Sequence, residues 1–119
     1  MNRTSTYKTS AISTLQPGQM IVLLYYGAIK SLRQAIVELE AGRYMENGQR
    51  ITQAVDIITE LKCSLDLEAG GEIAQNLNKL YDFMIGHLYK ANAGKDAQKI
   101  LDVINLLTYL NNGWRTITA

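Results

Sequence analysis

Apolar residues return at steps of three and four in four stretches of the chain, and glycine-containing breaks separate these stretches. At 3.6 residues per turn, this spacing places the apolar side chains of one stretch on one face of an α-helix. The four stripes are Ile21, Leu24, Tyr25, Ala28, Leu32, Ala35, Ile36 and Leu39; Ile51, Ala54, Val55, Ile58, Leu61 and Leu65; Ile73, Leu77, Leu80, Met84, Leu88 and Ala91; and Ile100, Val103, Leu107, Leu110, Trp114 and Ile117. We expect each stripe to face a shared core.

Proline and glycine mark where these helices begin and end. Pro17 suits the first turn of a helix, because its missing N–H would have no intrahelical partner there. The breaks contain Gly42, Gly70–Gly71 and Gly94, and glycine often follows a helix in the left-handed conformation. We expect Gly94 to close the third helix in this way and Asp96 to cap the fourth. Because short connections impose antiparallel packing, the pattern predicts an all-α, up-down-up-down four-helix bundle.

The amino-terminal segment differs from the rest of the chain. Residues 1–14 are rich in hydroxyl-bearing and charged side chains and contain few apolar ones. Such a segment is poor material for an isolated helix and buries too little apolar surface to fold alone. We therefore predict a mobile amino-terminal arm over residues 1–14 and a single-domain bundle over residues 15–119.

The composition excludes several classes of partner. With 12 basic and 11 acidic residues the net charge is +1, which provides no electrostatic footprint for nucleic acid or an anionic bilayer. No uninterrupted apolar run is long enough to insert into a membrane, and no secretory signal is visible. Cys63 is the sole cysteine, so we expect no internal disulfide and interpret this residue as a small buried hydrophobe. A cytosolic location is the simplest interpretation.

Some apolar residues lie outside the four stripes. On a helical projection they fall away from the predicted core, and tyrosine suits a binding surface because its ring buries area while its hydroxyl stays hydrated. These outward positions are Leu23, Tyr26, Ile85, Tyr89, Leu101 and Tyr109. Together they suggest apolar grooves that accept an amphipathic helix or an extended segment of a partner.

Candidate catalytic chemistry is sparse. His87 is the only histidine, and no Glu-x-x-His pair is present, so neither a metal site nor any other cofactor is predicted. One enzymatic alternative stays open, because His87-Leu88-Tyr89-Lys90 resembles the His-x-x-Lys of histidine phosphotransfer domains, which are also helical bundles. In that family a glycine normally follows the lysine, whereas in this chain Ala91 follows it. Our interpretation is that the chain is not an enzyme.

A longer resemblance covers most of the chain. The block from Ser64 to Met84, with the Gly70–Gly71 corner at its centre, is similar to a signature of the flagellar export chaperones that hold flagellin. The segment from Ile12 to Ile29 is similar to the amino-terminal signature of the same family. The segment from Ala91 to Trp114 aligns with the last helix of that family. Tyr26 departs from the pattern, since the family usually has an acidic residue there.

The resemblance implies a binding function. Proteins of this family bind the disordered carboxy-terminal region of flagellin, which wraps round the bundle, partly as helices, and is kept from polymerising before export. We expect the outward residues to form the flagellin contacts. We also expect three apolar residues of the arm to cover part of the groove until flagellin displaces them; these are Tyr7, Ile12 and Leu15. A third alternative is a structural homo-oligomer, in which the outward apolar surface pairs with a second copy. The chaperone interpretation also allows a weak homodimer when no partner is bound.

Overall fold

The computed structural model of the chain describes residues 17–118. They form four α-helices: α1 (Pro17–Glu40), α2 (Tyr44–Cys63), α3 (Gly71–Gly94) and α4 (Ala97–Thr118). No strand occurs between these bounds. The predicted arm lies outside the described residues, as do its predicted contacts Tyr7, Ile12 and Leu15.

The helices form a closed ring. α1 packs against α2 and α4, and α3 packs against the same two helices, so that α1 and α3 occupy one diagonal. The connections between successive helices are short, which makes neighbours in the ring antiparallel. The predicted all-α, up-down-up-down four-helix bundle is therefore confirmed.

Among residues 17–118, one helix is apolar and long enough to cross a membrane, by length and composition alone, namely Gly18–Glu40 in α1. Core helices of other bundles pass the same test. In this structure Tyr25, Ala28, Leu32 and Ala35 are completely buried and form one wall of the core. The apolar character of α1 is thus used in part for packing against the other helices.

The middle of each predicted stripe is buried, whereas some of the stripe ends are exposed. Leu32, Ile58, Leu88 and Leu107 have no exposed surface, and burying such a side chain contributes about 1.5–3 kcal/mol. Two predicted core residues are exposed instead, Ile73 at 74% and Ile117 at 72%. Ile73 lies in the first turn of α3 and Ile117 in the last turn of α4, where no further turn of the neighbouring helices within residues 17–118 covers them. Periodicity also missed four buried apolar residues: Ile29, Ala74, Tyr81 and Ile104.

Two further predictions are wrong for a related reason. Cys63 is exposed rather than buried, because it is the last residue of α2 and follows the final covered position, Leu61. Gly94 is the last residue of α3, and the left-handed conformation falls on Lys95 instead, at φ 51°. Asp96 caps α4 as predicted, since its Oδ1 accepts hydrogen bonds from the backbone N–H groups of Gln98 and Lys99.

Glycine is required at two of the corners. At the end of α1, Gly42 adopts φ +75°, and its N–H donates to the Leu39 carbonyl. The next N–H, of Arg43, donates to the Glu38 carbonyl, which completes a Schellman turn. Before α3 the two glycines of the Gly70–Gly71 corner have different reasons: a Cβ on the first would overlap the backbone oxygen of Asp66, and the second adopts φ +57°.

A polar contact crosses the core. The phenol oxygens of Tyr25 in α1 and Tyr81 in α3 lie 2.6 Å apart, and one hydroxyl donates to the other. Burial raises the pKa of both phenols, so both remain neutral at physiological pH. The hydrogen bond with Tyr81 opposes part of this rise in the pKa of Tyr25. The contact joins α1 to α3 across the diagonal of the ring.

We expect Tyr25→Phe to lower the free energy of unfolding by about 1–3 kcal/mol, because the Tyr81 hydroxyl would remain buried without this partner. The Tyr25→Phe/Tyr81→Phe double variant should lose less than the sum of the two single variants, since neither hydroxyl is then left unpaired. Urea unfolding measures all three changes. Tyr109→Phe, which removes an exposed hydroxyl, serves as the control and should change stability by less than about 0.5 kcal/mol. Additive losses in the double variant would show that the two hydroxyls do not stabilise each other.

Candidate partner-binding surface

Exposed apolar side chains line the outer side of α1 and α4. Leu23 borders a cleft between these two helices, together with Val22 of α1 and Arg115 of α4. Leu23 and Arg115 lie at the same height along this pair of antiparallel helices, and each helix rises by about 1.5 Å per residue. Two residues that lie equally far from Leu23 and from Arg115 in the same direction therefore also lie at the same height. Val37 and Leu101 therefore come level at the other end of the pair. We call the surface formed by Leu23, Tyr26, Val37 and Leu101 the α1–α4 face; all four side chains are exposed.

A second apolar surface lies at one end of the bundle, beside the Gly70–Gly71 corner. We call it the end cleft; it has a volume of about 300 Å³. Its apolar lining comprises Ile21, Leu61, Leu65, Ile73, Ala74, Leu77, Tyr81 and Trp114. A groove that also contains Leu110 and Ile117 continues from it between α3 and α4. Pro17, where α1 begins, lies at this same end of the bundle.

Sequence reasoning missed the end cleft and its adjoining groove, because it assigned Ile73 and Ile117 to the core. The signal that could have found it was their position. A stripe residue within one turn of a helix end has fewer neighbours than one in the middle, so part of its apolar surface stays uncovered. In the end cleft this effect occurs on two adjacent helices, α3 and α4, and leaves a concave surface between them.

The sequence-predicted contact residues do not gather in one groove. Leu23, Tyr26 and Leu101 share the α1–α4 face. Tyr109 is exposed on α4 and borders a separate depression that reaches Ile117 at the edge of the end cleft. The remaining two lie on α3, across the ring from α1: Tyr89 is exposed there, whereas Ile85 is only partly exposed and packs against the core.

The single histidine is engaged in contacts between α3 and α4. Its Nε2 lies 2.9 Å from Oδ2 of Asp102, and its ring stacks on Phe83 with 4.9 Å between centroids. Gln98 donates to the other oxygen of the same carboxylate. These hydrogen bonds, first from Gln98 and then from His87, lower the pKa of Asp102, so the carboxylate remains charged at neutral pH. Only 14% of the His87 side chain is exposed.

This geometry does not favour phosphotransfer, which requires an accessible imidazole nitrogen. We expect no phosphohistidine above background when the protein is incubated with a phosphorylated response regulator, because Nε2 of His87 is held by Asp102. Radiolabel transfer measures this, with His87→Gln as the background control. Label that appears on the wild type and is missing from His87→Gln would contradict the expectation.

Metal chemistry finds no support in the arrangement of side chains. Between Pro17 and Thr118, no three histidine, cysteine, aspartate or glutamate residues lie close enough together to hold a metal ion. The ion pairs described in this part of the chain join Arg43 to Glu38 and Lys62 to Asp82, apart from the His87 contact. They connect α1 to the start of α2 and α2 to α3, and leave the α1–α4 face free of acidic partners.

Comparisons with known proteins agree with this fold. The flagellar secretion chaperone FliS of Salmonella typhimurium is 42% identical over 110 residues, which cover 92% of this chain and 82% of that protein. The flagellar secretion chaperone FliSB of Pseudomonas aeruginosa is 37% identical over 107 residues, covering 90% and 85%. A crystal structure described as a flagellar chaperone from bacteria covers 90% of this chain and 87% of its own with a TM-score of 0.81; at 20% identity it supports the fold alone.

The relatives are named as chaperones, which is a non-enzymatic role. A sequence model of the family described as flagellar protein FliS matches residues 1–119. The match covers the predicted amino-terminal arm as well as the four helices. The chain therefore belongs to the FliS family of flagellar secretion chaperones.

Proposed function

We propose that this protein is a cytoplasmic export chaperone that binds the disordered carboxy-terminal region of flagellin and prevents its polymerisation before secretion. The observation that carries the proposal is the apolar surface left outside the core, on the α1–α4 face and in the end cleft. Membership of a family of secretion chaperones supplies the context, since such a protein needs a surface for an exported substrate.

The physical demands of a disordered partner fit these two surfaces. A chain that orders on binding loses conformational entropy, so it needs a long apolar contact to compensate. The α1–α4 face runs along the bundle, and the end cleft provides a concave apolar pocket at one end of it. A segment that wraps round the bundle contacts both, and gains burial of apolar surface at each.

We expect Leu101→Asp to weaken binding of a flagellin carboxy-terminal segment at least about tenfold, which corresponds to about 1.4 kcal/mol. The change places a charge at an apolar contact on the α1–α4 face. Because the Leu101 side chain is exposed, helicity should be retained. Isothermal titration calorimetry measures the affinity, and circular dichroism measures the helicity.

Thr59→Asp is the matched control, because it adds the same charge to an exposed helical position on α2, outside both the α1–α4 face and the end cleft. Its affinity should stay within about threefold of the wild type, or roughly 0.6 kcal/mol. Equal affinity of the wild type and Leu101→Asp would remove Leu101 from the contact surface. If the wild type does not bind the flagellin segment at all, the proposed function itself is wrong.

We also propose that the arm, through Tyr7, Ile12 and Leu15, covers part of this apolar surface when no partner is bound. The support for this proposal is the position of the arm. Because α1 begins at Pro17, at the end of the bundle that carries the end cleft, the arm is attached to the bundle close to that cleft. A covered surface is less prone to self-association.

Deleting residues 1–14 should therefore raise the affinity for the flagellin segment or promote weak self-association of the partner-free protein. Calorimetry detects the first effect and sedimentation velocity the second. The full-length protein serves as the reference in both measurements. If neither affinity nor oligomeric state changes, the arm does not cover the surface.

A further inference from the structure

α1 carries a second stripe on the side opposite the core. Its members recur at steps of three and four, and all of them are exposed; they are Leu23, Tyr26, Lys30, Arg33 and Val37. At about 100° per residue this stripe is centred roughly half a turn away from the core stripe that contains Tyr25, Leu32 and Leu39. We call it the outer stripe of α1. It forms the α1 side of the α1–α4 face.

The outer stripe is apolar at its ends and basic in the middle. Leu23 is 53% exposed, Tyr26 45% and Val37 58%, so each leaves substantial apolar surface for a contact. Lys30 and Arg33 are the only charged residues between Pro17 and Val37. Neither has an ion-pair partner among residues 17–118. Two positive charges are thus held, unpaired, between apolar contacts.

The neighbouring helix does not supply the missing acid. The acidic residue of α4, Asp102, contacts His87 of α3, on the side away from α1. At the level of Lys30 and Arg33, α4 presents Asn105 and Thr108, which are uncharged. Arg115, beside Leu23 in the cleft between the two helices, adds a further positive charge. The α1–α4 face is therefore complementary to a negatively charged partner.

The spacing indicates what shape that partner has. Alternating steps of three and four are the pattern by which one helix packs along another. From Leu23 to Val37 the outer stripe extends over about 21 Å, the length of a helix of roughly 15 residues. An amphipathic helix laid along it would meet apolar contacts at both ends and basic ones between them.

We propose that the outer stripe of α1 is the docking surface for an acidic amphipathic helix within the exported cargo. That helix carries apolar residues near both ends of its contact face and acidic residues in the middle, opposite Lys30 and Arg33. The proposal rests on the proposed function, because it assigns a chemical class to one part of the flagellin segment. The end cleft then accommodates a different, less charged part of the same chain.

Two other occupants fit the outer stripe less well. In a pair formed by two copies of α1, Lys30 lies at the centre of the stripe, so basic residues would face basic residues in either orientation. This repulsion disfavours a symmetric dimer through this surface. An anionic bilayer is normally recognised by clusters of about four to eight basic residues, whereas this stripe has two.

The experiment measures binding of the flagellin carboxy-terminal segment to the Lys30→Glu/Arg33→Glu variant by calorimetry at low and high salt. Wild-type affinity should fall with added salt. The variant should bind at least about tenfold more weakly at low salt, equivalent to about 1.4 kcal/mol, with a smaller salt dependence. Lys79→Glu/Lys90→Glu is the matched control, because it makes the same change in net charge at two exposed positions of α3. The control should bind nearly as tightly as the wild type.

Two further measurements test the partner directly. Mixing the wild type with the segment should increase helical circular dichroism above the sum of the separate components. Changing acidic residues in the helical part of the segment to lysine should weaken binding to the wild type and restore binding to Lys30→Glu/Arg33→Glu. Such a charge exchange occurs only if the two sets of charges face each other.

The outcomes separate this inference from the proposed function. If Leu101→Asp weakens binding but Lys30→Glu/Arg33→Glu does not, flagellin binds without using the basic stripe, and the inference is wrong. It is also wrong if the control variant loses as much affinity, or if no helicity is gained. If Lys30→Glu/Arg33→Glu binds flagellin normally but no longer sediments with phosphatidylglycerol vesicles, the stripe binds a membrane. If it binds flagellin normally but no longer dimerises, the stripe binds a second copy of the chain. A wild type that does not bind the segment would overturn both.

Discussion

The hydroxyl contact between Tyr25 and Tyr81 fixes the bundle across its diagonal. α1 and α3 are held together mainly through their shared neighbours, yet these two phenols meet 2.6 Å apart in the middle of the core. Each hydroxyl is buried, so each needs the other to compensate for lost hydration. The contact therefore specifies how far α1 is shifted along α3. Because Tyr81 also lines the end cleft, the same contact holds one wall of that surface in place.

α1 connects the core to the surface, because it is apolar on two opposite sides. One side supplies Tyr25 and Leu32 to the core, and the other exposes Leu23 and Val37. This double use explains why α1, by composition, passes for a membrane-spanning helix while forming part of a four-helix bundle. A helix that needed only to pack would carry polar residues on its outer side. The excess apolar surface on α1 is therefore the main structural reason to expect a partner.

The sequence predicted the helices and the central core well, because periodicity records which residues share a face. It failed at helix ends, where burial depends on what lies beyond the last turn: Ile73, Ile117 and Cys63 all fall there. It also missed Tyr81, whose burial depends on a hydroxyl partner far away in the chain.

The candidate surface was predictable only in part. Leu23 and Tyr26 fall on the outer side of α1 by helical geometry alone. That Leu101 joins them on one face, whereas Tyr89 lies across the ring, depends on the order in which the helices pack. The end cleft was missed, although antiparallel packing places the first turn of α3 beside the last turn of α4, because periodicity alone does not show which stripe residues lack a covering turn. The family resemblance identified the protein class without locating either surface.

The central claim is that flagellin binds along the α1–α4 face and into the end cleft. The most direct test is the change in backbone amide chemical shifts of the isotopically labelled protein on addition of an unlabelled flagellin carboxy-terminal segment. We predict that the largest changes fall on residues around Leu23, Lys30 and Leu101 and around the end cleft at Ile73. Exposed positions of α2, such as Thr52 and Thr59, should change little. Changes concentrated on the outer side of α2, or no changes at all, would contradict this account.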